Sequence, residues 1–269
     1  MTEIFYGDCL EVMKGLPDKS IDCFICDLPY GQLTGSGEKI KHNVVDFRTL
    51  KLKELNTYGG GCPWDVKIDL VEFWKQVERL AKNDNTPVIH FCNTKFGIDL
   101  ILSKPDWFRY DLVWNKERGV SFLTANKLPM KSHEMIYIFS KKGAHYNRID
   151  IKGDFKKWNG HDRETKTRTV IEGSGRNIAM ANDGTTRCAL SVINIKKPNT
   201  RGHPTEKPKE LYEWLLSRYC PEGGTVLDPT AGSFNSILVA KELGLNAIGI
   251  EMDKVFFTNA LQKFIDLEK

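Results

Sequence analysis

Apolar residues in this chain fall into short continuous runs separated by stretches with three-to-four spacing. Ile21 to Cys26 is apolar except for Asp22 and is followed by turn chemistry, the signature of a strand buried on both faces. Ile4 to Tyr6, Pro87 to Cys92, Tyr110 to Trp114 and Met135 to Ser140 read as further strands. Between them, Leu70, Phe73, Trp74, Val77 and Leu80 fall on one face of a helix predicted over Asp69 to Lys82. Asp8 caps a short helix that stops before Pro17, and Leu211 to Tyr219 is helical. Val226 to Asp228, Phe234 to Leu243 and Ala247 to Glu251 make a strand–helix–strand unit, with a last helix from Lys254 to Leu267. This alternation predicts an α/β fold with a doubly wound, mostly parallel sheet.

Two stretches break the pattern. Residues 32–61 are rich in Gly, Lys and polar side chains and read as a mobile loop, either ordering over a ligand or lying free on the surface. Residues 145–201 hold twelve Lys and Arg against six Asp and Glu. Because the whole chain carries +4, that segment concentrates the positive charge and the rest is slightly acidic. A localised basic excess suits a polyanion; a solvated basic insertion is the plainer alternative.

Composition narrows the remaining classes. With 41% hydrophobic and 10% aromatic residues the chain can bury a core. No apolar run reaches the roughly 20 residues of a membrane helix. Residues 1–10 lack a basic stretch followed by an apolar one, so no secretory leader is expected. Seven scattered Cys do not make a disulfide scaffold and fit a reducing, cytoplasmic setting. Cys23 and Cys26 have the spacing of a metal pair but lie inside a predicted buried strand, which favours packing. His90, at the end of another strand, reads as an interior histidine.

The candidate chemistry sits at two acidic strand ends, where ligands bind in open α/β sheets. The first is Asp27-Leu28-Pro29-Tyr30. The Asp27 carboxylate and the Leu28 carbonyl can each accept one N–H of an exocyclic amine, turning the nitrogen lone pair outward. Pro29 fixes the turn and Tyr30 offers a flat face for a base. The second is Asp228-Pro229-Thr230-Ala231-Gly232-Ser233-Phe234-Asn235. Gly232 admits close backbone approach, and Ser233 and Asn235 add polar groups before a helix N-terminus. Glu251 ends the next strand and can accept both hydroxyls of a ribose; Met252 follows it. No G-x-G-x-x-G is present, so a dinucleotide site is disfavoured.

These residues resemble the beta class of DNA amino-methyltransferases. Asp27 to Tyr30 is similar to that family's Asp-Pro-Pro-Tyr motif, and Asp228 to Asn235 to its cofactor loop. His203-Pro204-Thr205-Glu206-Lys207-Pro208 is similar to its His-Pro-Thr-Gln-Lys-Pro stretch. The order, catalytic motif first and cofactor loop last, is the family's permuted one. Tyr6 to Cys9, Pro63 to Asp65, Val113 to Lys116 and His133 to Ile136 add to the match. The resemblance implies a Rossmann-like, seven-stranded S-adenosylmethionine-dependent methyltransferase fold with one antiparallel strand, in which the strands ending at Asp27 and Asp228 are neighbours. It implies residues 1–144 as the catalytic part, 145–200 as the target-recognition insertion and 201–269 as the cofactor part. Asp8 would lie near the donor's adenine, Glu251 at its ribose, and Ser233, Thr205 and Lys207 at its methionine end. Asp27, Asp228, Thr230, Gly232, Phe234, Asn235 and Met252 complete the implied donor set, with no metal. Leu28 departs from the usual Pro, and Phe234 stands where a second Gly is usual, close enough in sequence to crowd the donor or pack over it.

The implied reaction is methyl transfer to the N6 amine of an adenine flipped out of duplex DNA, as in restriction–modification systems, by a monomer or a homodimer. A leading Asp rather than Ser favours adenine over the N4 amine of cytosine. RNA adenine is a further alternative substrate, and a catalytically dead DNA-binding module is an alternative of another class. Glutamine methyltransferases with an Asn-Pro-Pro-Tyr turn place the cofactor loop before it, against the order found in this chain.

Overall fold

The computed structural model describes residues 1–30, 39–46, 51–58, 67–120, 122–154, 184–197 and 206–267. In chain order its elements are β1 (Thr2–Tyr6), α1 (Cys9–Lys14), β2 (Cys23–Cys26), β3 (Lys39–Asp46), β4 (Lys51–Tyr58), α2 (Leu70–Leu80), β5 (Val88–Cys92), α3 (Thr94–Ser103) and β6 (Phe108–Val120). There follow β7 (Lys131–Phe139), β8 (Ile151–Lys152), β9 (Thr186–Arg187), β10 (Val192–Asn194), α4 (Lys209–Tyr219), β11 (Thr225–Asp228), α5 (Asn235–Glu242), β12 (Asn246–Glu251) and α6 (Lys254–Leu267).

Eight strands form one sheet in the order β1-β12-β11-β2-β5-β7-β6-β10. Every neighbouring pair is parallel except those made by β7, which runs against β5 and β6. The mostly parallel α/β sheet expected from the alternation is thus present, with one strand more than the seven implied by the resemblance. The extra strand is β10, paired with β6 from Val192↔Val113 to Asn194↔Asn115. It comes from the basic stretch, where three residues with a single buried side chain, Ile193, leave no periodic trace.

A parallel sheet between two helical layers buries both faces of its strands, which is why β2 reads as an unbroken apolar run. Cys23 and Ile25 pack under α4, α5 and α6, among Leu215, Ile237 and Phe264. Phe24 and Cys26 face the other way, into the layer of α1, α2 and α3 with Met13, Phe73, Val77 and Phe96. The two cysteines therefore point into opposite cores and cannot share a metal. The five apolar positions predicted for the helix after Asp69 are all buried in α2, whose N-terminus the Asp69 carboxylate caps at Val71 and Glu72. Asp8 caps α1 in the same way. His90 is fully enclosed by Phe73, Trp74 and Phe139, and burial holds its pKa down to about 3, so it is a neutral core residue. Trp114 is likewise buried, its Nε1 donating to the Ile195 carbonyl at 2.7 Å.

Within residues 32–61, expected as a loop, β3 and β4 pair in antiparallel register from Lys39↔Tyr58 to Asp46↔Lys51. Contacts divide the chain into two units, Met1–Asn147 with Ser191–Lys269, and Arg148–Leu190. The smaller unit holds the β8–β9 pair, extended by a Gly153 N–H to Thr185 carbonyl bond, and an ion pair between Arg148 and Asp150. Most of the basic stretch belongs to it, but β10 belongs to the larger unit's sheet.

Candidate active site

The chain leaves β2 toward β5 on one side of the sheet, and β11 toward β12 on the other. β2 and β11 are therefore the point where strand order diverges, and they pair directly, Cys23↔Val226 and Phe24↔Leu227. Beyond their carboxyl ends lies a cavity of about 710 Å³. Its walls are Asp8, Asp27 to Tyr30, Thr230 to Ser233, Glu251 and Met252, with Lys67 to Asp69, Asn93, Lys131, Glu134, Lys207 and Tyr212. Two stretches 200 residues apart in sequence thus share one cavity because their strands are hydrogen-bonded neighbours.

Asp27 is held on both carboxylate oxygens. Its Oδ1 accepts the Tyr30 hydroxyl at 2.8 Å and its Oδ2 accepts Lys207 Nζ at 2.5 Å. Tyr30 lays its ring against Phe96 at 5.0 Å. Burial, with Asp27 beside it, holds its hydroxyl well above the usual tyrosine range, so it stays a donor to the carboxylate. Lys207 is buried, lies 4.9 Å over the Phe91 ring and 3.8 Å from Glu134 Oε2. Glu134 in turn pairs with Lys116 at 3.2 Å. Burial pulls the Lys207 pKa down, but Asp27 and Glu134 outweigh it and raise it above that of a free lysine. Burial pushes Glu134 up, and Lys207 and Lys116 more than reverse this, so its pKa is lowered. The outcome is a chain of alternating charges, Asp27–Lys207–Glu134–Lys116, running from β2 across to β7 and β6. Lys207, expected at the donor's methionine end, lines the cavity and holds the acid of the first motif.

The second acidic end is built for backbone shape. Asp228 does not line the cavity. It is buried beneath the loop, accepting the Thr230 N–H at 3.0 Å and the Ser236 hydroxyl at 2.5 Å. Burial raises its pKa to about 7 despite those bonds. Glu251 accepts the Gly232 N–H on one oxygen at 2.8 Å and the Asp253 N–H on the other at 2.7 Å, each oxygen keeping a lone pair for a further donor. Burial raises its pKa, against the pull of these N–H groups. Gly232 has φ +52°, where a side chain would be strained. Thr230 Oγ1 is buried at the cavity wall with no hydrogen-bond partner among the described residues.

Phe234 neither crowds the cavity nor packs over it. It adopts φ +60°, the left-handed region, which explains why a Gly would serve at this position, at a cost of about 1 kcal/mol to a residue with a side chain. Its ring turns away into the core against Phe257 and Phe264, and a Cβ on Gly249 would come within 2.8 Å of it. Gly249 thus makes room for Phe234, and burial of the ring offsets the backbone strain. Asn235 also stays off the cavity wall. Its Nδ2 donates to Glu206 Oε1 at 2.8 Å and to the Lys207 carbonyl at 3.1 Å, tethering Lys207 to the start of α5. Leu28 buries its side chain in the core under α1 and α2, so the exchange of Pro for Leu adds no bulk to the cleft. Thr205, with His203 and Pro204, lies outside the described residues, as does Pro63 to Asp65.

Sequence reasoning did not single out Lys131, Asn93 or Tyr212, and Lys116 entered only as the end of the stretch Val113 to Lys116. Glu134 entered only as part of a motif, although an ionisable residue preceding the apolar run Met135 to Phe139 is a visible signal.

A family model described as "DNA methylase" matches residues 21–262. The type II methyltransferase M.HinfI of Haemophilus influenzae is 27% identical over 277 residues, spanning 99% of this chain and 67% of that protein. Among solved structures, the M1.HpyAVI–SAM complex superposes with a TM-score of 0.58 at 19% identity, covering 98% of this chain and 99% of the other. The cytosine-N4-specific PvuII DNA methyltransferase gives 0.61 at 14% identity, covering 98% and 86%. At such identities these two structures speak to the fold.

Proposed function

The chain belongs to the DNA amino-methyltransferase family, and from that premise we propose that it methylates the N6 amine of an adenine flipped out of duplex DNA. The observation that carries the reading is the one cavity that Asp27 to Tyr30 line together with Gly232 and Glu251. S-adenosylmethionine fits as the methyl donor. Glu251 keeps acceptor capacity for ribose hydroxyls, Thr230 Oγ1 is a buried hydroxyl without a partner among the described residues, and the Gly232 turn leaves the wall open. Asp8, Gly232, Ser233, Glu251 and Met252 would hold it. When bound, it supplies a methyl already activated by a positively charged sulfur, so the protein's task is alignment.

Asp27 accepts one N–H of the amine and the Leu28 carbonyl the other, which directs the nitrogen lone pair toward the donor side of the cavity. Lys207 and Tyr30 fix the carboxylate from both oxygens, leaving one lone pair on each for the substrate. As the amine becomes tetrahedral and acidic, the same carboxylate can take its proton. Rotating the base out of the duplex costs a few kcal/mol, of which stacking on an aromatic face such as Tyr30 returns about 1–3 kcal/mol.

Mass spectrometry of nucleosides from unmethylated DNA treated with the chain and S-adenosylmethionine tests this reading. N6-methyladenine is the expected product. N4-methylcytosine without methyladenine would overturn the choice of base, the relevant alternative given the likeness to a cytosine-N4-specific enzyme. Methylation confined to RNA would overturn the choice of nucleic acid.

A further inference from the structure

β6 and β7 outrun the rest of the sheet. β5 ends at Cys92, opposite Met135, and β10 ends at Asn194, opposite Asn115. Lys131 to Glu134 of β7 therefore continue for four residues, about 13 Å, with β6 as their strand partner among the described residues. β6 runs parallel to β5, so this arm projects past the carboxyl edge of the sheet, where the cavity opens. Lys131 and Glu134 belong to both the arm and the cavity wall.

The arm is built to its end. Val120 pairs with Lys131, and a Cβ on Gly119 would come within 2.8 Å of Met130 Cβ, so the two sides close tightly there. At the tip, Phe122 to Thr124 form one tight turn closed by the Ala125 N–H on the Phe122 carbonyl at 3.0 Å. That turn presents the most exposed large apolar pair of the described residues: Phe122 is 78% and Leu123 98% accessible. In sequence, residues 117–131 carry Arg118, Lys127 and Lys131 against a single acid, Glu117.

Exposed apolar side chains at the end of a basic arm whose base lines the cavity suit the interior of a base stack flanked by phosphates. We infer that Phe122 and Leu123 form a wedge that enters duplex DNA at the position vacated by the flipped base. The inference rests on the proposed action on duplex DNA. The wedge replaces the lost stacking, and the cations meet the phosphates on either side.

The test uses the double variant F122A/L123A and a synthetic duplex bearing the site that sequencing of treated DNA identifies. A second duplex places the target base opposite an abasic site, where extrusion needs no pairing to be broken. With 2-aminopurine at the target, the parent chain should raise fluorescence on both duplexes and the variant only on the second. On the adenine duplexes, kcat should fall at least tenfold on the paired target and stay within twofold on the abasic one. Equal kcat on the paired duplex, or the same proportional loss on both, would overturn the wedge. So would equal losses accompanied by dissociation of a dimer in sedimentation, which would assign the tip to self-association. A parent chain that methylates no DNA is a different failure, that of the proposed function itself.

Discussion

Replacing Asp27 by alanine is expected to lower methyl transfer by about 10³-fold while leaving the affinity for S-adenosylmethionine within a few-fold of its original value. The separation follows from the geometry. Asp27 follows β2, whereas Gly232 lies in the loop after β11 and Glu251 ends β12, and the Asp27 carboxylate is bound by Tyr30 and Lys207, neither of which belongs to that loop. The variant should also fold, because Lys207 retains a carboxylate, Glu134, at 3.8 Å. Single-turnover transfer and equilibrium donor binding, measured on the same preparation, check this. Turnover within tenfold of the parent would remove Asp27 from its role.

Lys207→Met should damage both stability and rate. Lys207 is buried and is the cation between Asp27 and Glu134. Without it, two partly buried carboxylates lose the cation they share, with Tyr30, Lys116 and the more distant Lys131 left to compensate, a loss of about 3 kcal/mol. In a chain of this size that corresponds to a melting temperature lower by roughly 6–12 °C. Transfer should fall about 100-fold, because Asp27 is then held from one oxygen alone. The kinetic signature separates two roles for the lysine. If it positions Asp27, kcat falls and the donor KM changes little. If it meets the methionine end of the donor, as the motif resemblance implied, the donor KM rises and kcat is largely kept. Thermal melting and steady-state kinetics decide between them.

Where burial follows one clean period, the architecture was readable from residues alone. Leu70, Phe73, Trp74, Val77 and Leu80 marked α2, and the unbroken run from Cys23 to Cys26 marked a strand covered on both faces. α3 was not readable. Its centre is Gly97, a poor helix former, and the Gly is demanded from outside the helix: a Cβ there would lie 2.6 Å from the Tyr137 ring. β10 was lost in a basic stretch because a three-residue edge strand with one buried side chain has no period to detect. β3 and β4 were hidden by their polar content, Lys-Ile-Lys-His-Asn-Val-Val-Asp facing Lys-Leu-Lys-Glu-Leu-Asn-Thr-Tyr.

The site divides the same way. Local chemistry marked both acidic strand ends, since Asp followed by Pro and Gly can be recognised without knowing what lies opposite. The pairing of Lys207 with Asp27 spans 180 positions and depends on Asn235 gripping the Lys207 carbonyl, which no local pattern encodes. Phe234 was misjudged for a related reason. Sequence places it in the loop, but its left-handed backbone turns the ring away from the cavity toward the space that Gly249 leaves.

The most direct measurement is a crystal structure of the chain grown with S-adenosylmethionine. The donor's ribose is expected at Glu251 and its sulfonium facing Asp27 across the cavity. Donor density in any other place, or in this cavity with the methyl turned away from Asp27, would contradict this placement.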